Sequence, residues 1–106
     1  MDASRLEMIK KVAEKFPNDP VVLYGLGEAY AANEVYENAI QTFQKIIQIK
    51  SDYTAAYREL GKSLVKAGKI EQAKEIYRNG IEVAEKTGEL QTGKEMKVFL
   101  NRLEKG

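Results

Sequence analysis

The chain has 106 residues, enough for one domain with a modest core, and its 17 basic and 16 acidic side chains nearly cancel. No broad field is available to gather nucleic acid or an anionic membrane. Cysteine and histidine are absent, which excludes disulfides, thiolate metal sites, thiol nucleophiles and imidazole proton transfer; neither cofactor nor metal is expected.

The first helix is predicted over Ala3 to Phe16, because Leu6, Ile9, Val12, Ala13 and Phe16 recur at helical spacing and Pro17 stops the run. Asp19 is a good N-cap and Pro20 suits the first helical position, so a second helix is predicted from there to Ala32, burying Leu23, Leu26, Gly27 and Tyr30. Asn33 and Glu34 form the turn, with Asn33 expected in the left-handed conformation. A third helix over Val35 to Ile49 carries Ala39, Ile40, Phe43, Ile46 and Ile47 inward. Ser51 and Asp52 offer capping oxygens to a fourth, Tyr53 to Ala67, with Tyr57, Leu60, Gly61 and Leu64 inward and Gly68 closing it. The fifth, Ile70 to Glu85, buries Ile70, Ala73, Ile76, Tyr77, Gly80, Ile81 and Val83, and Thr87 with Gly88 breaks it. The last, Glu89 to Leu103, sets Leu90, Met96, Phe99, Leu100 and Leu103 against a polar face. No strand pattern, basic leader or run of about 18 apolar residues is present, so membrane spanning is not signalled and a cytoplasmic location is expected.

A period runs through these elements. Tyr24-Gly25-Leu26-Gly27-Glu28-Ala29-Tyr30 is echoed 34 residues later by Arg58-Glu59-Leu60-Gly61-Lys62-Ser63-Leu64, and Ala39, Phe43, Ile47 and Ile49 map onto Ala73, Tyr77, Ile81 and Val83. Gly27 and Gly61, opposite Ala39 and Ala73, remove bulk where paired helices cross, which permits close packing.

These residues resemble the tetratricopeptide repeat. Leu23, Leu26, Gly27, Tyr30, Ala39 and Phe43 in one copy, and Tyr57, Leu60, Gly61, Leu64, Ala73 and Tyr77 in the next, match its defining positions. The resemblance implies an all-α, right-handed solenoid of antiparallel helix pairs with about six helices. It divides the chain into an N-terminal half-repeat at 1–19, repeats at 20–53 and 54–87, and a capping helix at 88–106. In the last segment Lys94 would take the leucine position and Glu95 the glycine position. It implies a non-catalytic module that binds a peptide or protein partner on its concave face. The groove would be lined by Tyr24, Glu28 and Ala32 in one copy and by Arg58, Glu59, Lys62 and Lys66 in the next.

Arg58, Lys62 and Lys66 lie four residues apart and form a basic stripe, suited to a peptide bearing an acidic residue or a free carboxylate, with Tyr24 as an apolar contact. The plainer reading is a solvated, charge-balanced face. The clamp with which one subset of the family holds chaperone C-termini is missing, since Tyr24, Glu28, Glu59, Glu89 and Gly93 occupy its positions. Tyr30, Tyr36, Phe43, Tyr57 and Tyr77 are expected in the core. Carboxylates such as Glu34 with Glu37 and Glu82 with Glu85 fall on polar faces and give no acid-base site. Gly25 and Gly27 lie inside a helix with no preceding strand, which rules out a phosphate loop. Met96 and Phe99 either seal the core or leave an apolar patch for a second copy; self-association through the terminal helices or the convex face is the rival function. A fragment of a longer array, or an engineered repeat, is a further reading.

Overall fold

The computed structural model describes residues 3–106. Among them are six helices and no strand: α1 Ala3–Lys15, α2 Pro20–Ala32, α3 Tyr36–Ile49, α4 Thr54–Lys66, α5 Ile70–Thr87 and α6 Leu90–Lys105. Each helix packs on the next in the chain. In addition α2 touches α4 and α4 touches α6, whereas no such contact joins α1, α3 and α5. The alternation therefore makes α2, α4 and α6 the inner row of a shallow solenoid and α1, α3 and α5 its outer row. No helix among the described residues is long and apolar enough to cross a membrane.

The crossings are built around missing side chains. A Cβ added to Gly27 would lie 2.6 Å from the Phe43 ring, and one on Gly61 would run into the Tyr77 ring. A Cβ on Gly80 would meet Tyr57 and Met96, both at 2.6 Å. Around these contacts Phe43, Ile46, Leu60, Leu64, Tyr77 and Met96 are almost fully enclosed. Ala29, Ala56 and Ala84 are also buried, at close approaches that the 34-residue period alone did not single out.

Turn chemistry repeats with the same period. Asp19 caps α2 by accepting from the Val21 amide at 2.9 Å, with Pro20 in the first turn. Past α2 the left-handed residue is Glu34 (φ 61), not Asn33, and its counterpart 34 residues on is Gly68 (φ 79). Asn33 keeps negative φ and closes the helix with its side chain, donating from Nδ2 to the Ala29 carbonyl at 2.8 Å. After both turns a backbone amide reaches back to the same helical position, Val35 to Tyr30 at 2.9 Å and Lys69 to Leu64 at 2.8 Å.

Further expectations change. Ser51 and Asp52 do not cap α4 with their side chains: the N-cap is Tyr53, the Ser51 carbonyl accepts from the Tyr57 hydroxyl at 2.7 Å, and Asp52 pairs with Lys50. Val12 and Phe16 are exposed, at 45% and 54%. Val12 is the counterpart of Ile46, but α3 is flanked by α2 and α4, whereas α1 packs on α2 alone. Leu90, at the exposed start of α6, also faces outward, and Tyr30 and Tyr36 are only half-buried. Finally, α5 runs past Glu85 to Thr87 and closes at Gly88 (φ 77). The step that carries Pro20 to Thr54 would start α6 at Gly88, yet it starts at Leu90. With that shift Met96 takes the place of Leu60 in the inner row and is fully buried, so it seals the core.

Candidate functional site

Arg58 is the hub of the inner row. From the middle of α4 its Nε donates to Glu59 Oε2 at 2.8 Å, its Nη1 to Glu95 Oε1 of α6 at 2.8 Å, and its Nη2 to the Tyr24 hydroxyl of α2 at 3.2 Å. One planar guanidinium thus ties all three inner helices together, its donors held in a fixed fork where an ammonium would offer only a compact point charge. Burial opposes the charge on Arg58, but its hydrogen bonds with Glu59, Glu95 and Tyr24 outweigh that cost and hold its pKa above the ordinary value. The Tyr24 ring meets Phe43 edge-on, with centroids 5.8 Å apart, and lies 5.7 Å from the Tyr53 ring. Burial and then the charge of Glu59 raise the Tyr24 pKa, with the Arg58 hydrogen bond pulling the other way.

The basic stripe is therefore not uniform. Arg58 is neutralised by two carboxylates, Lys62 stands 3.7 Å from Glu59, and Lys66 makes no ion pair with any described residue. Glu28 is exposed one turn beyond Tyr24, while Ala32 and Lys66 stand exposed at the C-terminal ends of α2 and α4. The structure brings Tyr24, Arg58, Glu59 and Lys62 into one network and leaves Glu28, Ala32 and Lys66 around it. Glu95 was missed as the fifth member, because its place depends on where α6 begins. Of the other former clamp positions, Gly93 is buried, where an added Cβ would sit 3.1 Å from the Ala84 methyl, and Glu89 is exposed.

Removing the hub leaves Glu59 and Glu95 facing each other without their shared cation. Arg58→Met is expected to lower stability by about 1–3 kcal/mol, discounted from a fully buried pair because the Arg58 side chain is 24% exposed. Chemical denaturation measures it. Pairing the change with Glu95→Gln recovers part of the loss if the two act as described.

Tyr77 supplies a second electrostatic signature. Burial, and then the Glu59 charge, push its hydroxyl up to about 12. The unfolded chain releases that proton near pH 10 while the folded chain keeps it. The contribution is therefore complete below pH 10 and is lost as pH rises towards 12, about 2–3 kcal/mol in all. Denaturation midpoints should fall over this window, and Tyr77→Phe should reduce the fall.

The tetratricopeptide repeat family model matches residues 31–95, from the end of α2 into α6. A TPR repeat-containing protein of Pseudomonas aeruginosa is 29% identical over 100 residues, covering 94% of this chain and 95% of that protein. The peroxisomal targeting signal receptor of Eremothecium gossypii is 30% identical over 79 residues, 74% of this chain but only 14% of the receptor. Among solved structures, protein BPP2914 of Bordetella parapertussis superposes with a TM-score of 0.84 at 27% identity, over 99% of this chain and 90% of that one. The family match over more than half the chain, the small residues at each crossing and the two-row helical stack agree: the chain belongs to the tetratricopeptide repeat family.

Proposed function

We propose that the chain holds an acidic or carboxylate-bearing segment of a partner protein against the inner faces of α2, α4 and α6. Tetratricopeptide repeats are, as a family, non-catalytic protein-interaction folds, and the named receptor among its relatives reads a targeting signal. The observation that carries the reading is the division of labour along α4. Arg58 joins three helices into one wall, while Lys62 is loosely held and Lys66 has no ion-pair partner among the described residues. The basic stripe thus acts from its C-terminal half, and Arg58 positions the wall.

Titration of isotopically labelled protein with acidic and basic peptides of equal length tests this. Acidic peptides should shift backbone resonances at Tyr24, Ala32, Lys62 and Lys66, and Lys62→Glu combined with Lys66→Glu should weaken them at least tenfold. Equal shifts from basic peptides, or an unaltered affinity in the double variant, would remove the groove from the account.

One observation favours a second reading. Met8 and Val12 on α1 and Phe16 just past its end recur every four residues and are 68%, 45% and 54% exposed. They form an apolar strip at the outer end of the stack, where a second copy could pack. Self-association, if it occurs, runs through α1 and not through the buried Met96. Light scattering that reports an oligomer, reduced to monomer by Val12→Glu, would support this reading over the first.

A further inference from the structure

We infer that a cavity at the C-terminal ends of α4 and α6 receives one large apolar side chain of the bound segment, with carboxylates on both sides of it meeting lysines on one wall and an arginine on the other. The inference deepens the groove reading and rests on it. The cavity has a volume of about 320 Å³, and Tyr77, Phe99, Leu103 and Val65 give it an apolar lining. Its charged residues are Lys62 and Lys66 from α4 and Arg102 from α6, and no carboxylate lines it.

This imbalance is local, since the chain as a whole is nearly neutral. Of the nearby acids, Glu95 holds Arg58, Glu104 holds Arg78, and Glu59 divides itself between Arg58 at 2.8 Å and Lys62 at 3.7 Å. Lys66 and Arg102 consequently have no carboxylate partner among the described residues. Being exposed, each of these cations contributes only a modest amount to an ion pair, so selection comes from several of them of one sign around the same apolar surface.

Size and layout set the occupant. At about 320 Å³ the space lies at the small end of ligand cavities, which run from roughly 300 to 1,000 Å³, so it takes a large apolar side chain together with the backbone that carries it and has no room for a longer apolar run. Its aromatic floor is firm, because Tyr77 is 1% exposed and packs on Phe99 with ring centroids 5.8 Å apart. Cations on two helices, with the apolar floor between them, fit an apolar residue that has acidic neighbours before and after it. A lone terminal carboxylate would engage only one of those walls. The cavity bounded by α1, α2 and α3 is of similar size, about 360 Å³, but Lys10, Glu14 and Lys45 mix signs at its edge and select no charge.

Three fluorescent peptides test the inference by anisotropy: an end-blocked heptapeptide of aspartate and glutamate around a central leucine, the same peptide with central glycine, and an acidic peptide ending in leucine with a free carboxylate. The first should bind at least tenfold tighter than the second. Lys66→Glu and Arg102→Glu, both at exposed positions, should each weaken the leucine and glycine peptides alike by several-fold, and unaltered affinity in both variants would overturn the part given to the flanking carboxylates. Phe99→Leu should alter the leucine-to-glycine ratio while leaving the thermal transition cooperative. Equal binding of the leucine and glycine peptides, with shifts still at Tyr24 and Ala32, overturns the cavity's role and leaves the groove reading intact. Preference for the free terminal leucine overturns the flanked occupant. Failure of all three to bind overturns both proposals.

Discussion

Truncating Tyr77 to alanine is expected to lower the unfolding free energy by about 3–5 kcal/mol, a large share of what a domain of this size has. The ring is 1% exposed, fills the space left by the missing Gly61 side chain, packs on Phe99 and forms part of the cavity wall. None of these neighbours can slide in to replace it: Gly61 has no side chain, and Phe99 is held on α6. Denaturant midpoints at constant slope would report the loss. A cost below about 1 kcal/mol would mean that α4 and α5 do not pack as described. Tyr77→Phe, which keeps the ring, separates this packing loss from the hydroxyl's part in the alkaline response.

Alanine substitution at Gly61 and at Gly25 should act with opposite signs. Both sit inside helices, where replacing glycine gains up to about 1 kcal/mol of helix propensity. At Gly25 nothing lies within 4 Å of the new methyl, so that gain is realised. At Gly61 the methyl would lie 2.5 Å from Tyr77 Cζ and 2.7 Å from Cδ1, against a ring locked in the core. Overpacking of this kind costs about 1–3 kcal/mol and outweighs the propensity gain. Thermal unfolding of the two variants side by side is sufficient, and a Gly61→Ala protein more stable than its Gly25→Ala counterpart would contradict the close crossing.

What was legible in the sequence follows from which interactions are local. Asp19 with Pro20, and Gly68 and Gly88 at helix ends, act within a few residues, so the helices could be placed to within two or three positions. Gly27 and Gly61 were legible as crossing points because both copies repeat them, but their nearest neighbours are the Phe43 and Tyr77 rings and not the expected Ala39 and Ala73, since spacing does not show which way a ring on the facing helix turns. The strip on α1 was misread because periodicity shows which residues are apolar but not whether a helix has neighbours on both sides; Val12 and Ile46 share a pattern and differ only in company. Glu34 escaped notice since φ 61 there is imposed by the turn it shares with Gly68, against its own preference. The candidate site was half legible. Tyr24, Arg58, Glu59 and Lys62 were named from the repeat, but the fate of the Arg58 charge depended on Glu95, and Arg102 and Leu103 entered only once α6 had a phase.

That phase has a practical side. Because α5 overruns and Gly88 turns the chain before α6 begins at Leu90, the last inner helix is offset from the beat kept by the two before it. The contact at Gly80, which Tyr57 and Met96 share, depends on that offset, because Met96 reaches it only from a helix that begins two residues late. Extending the array by design would therefore begin with shortening that overrun, so that the 34-residue step is restored at the joint.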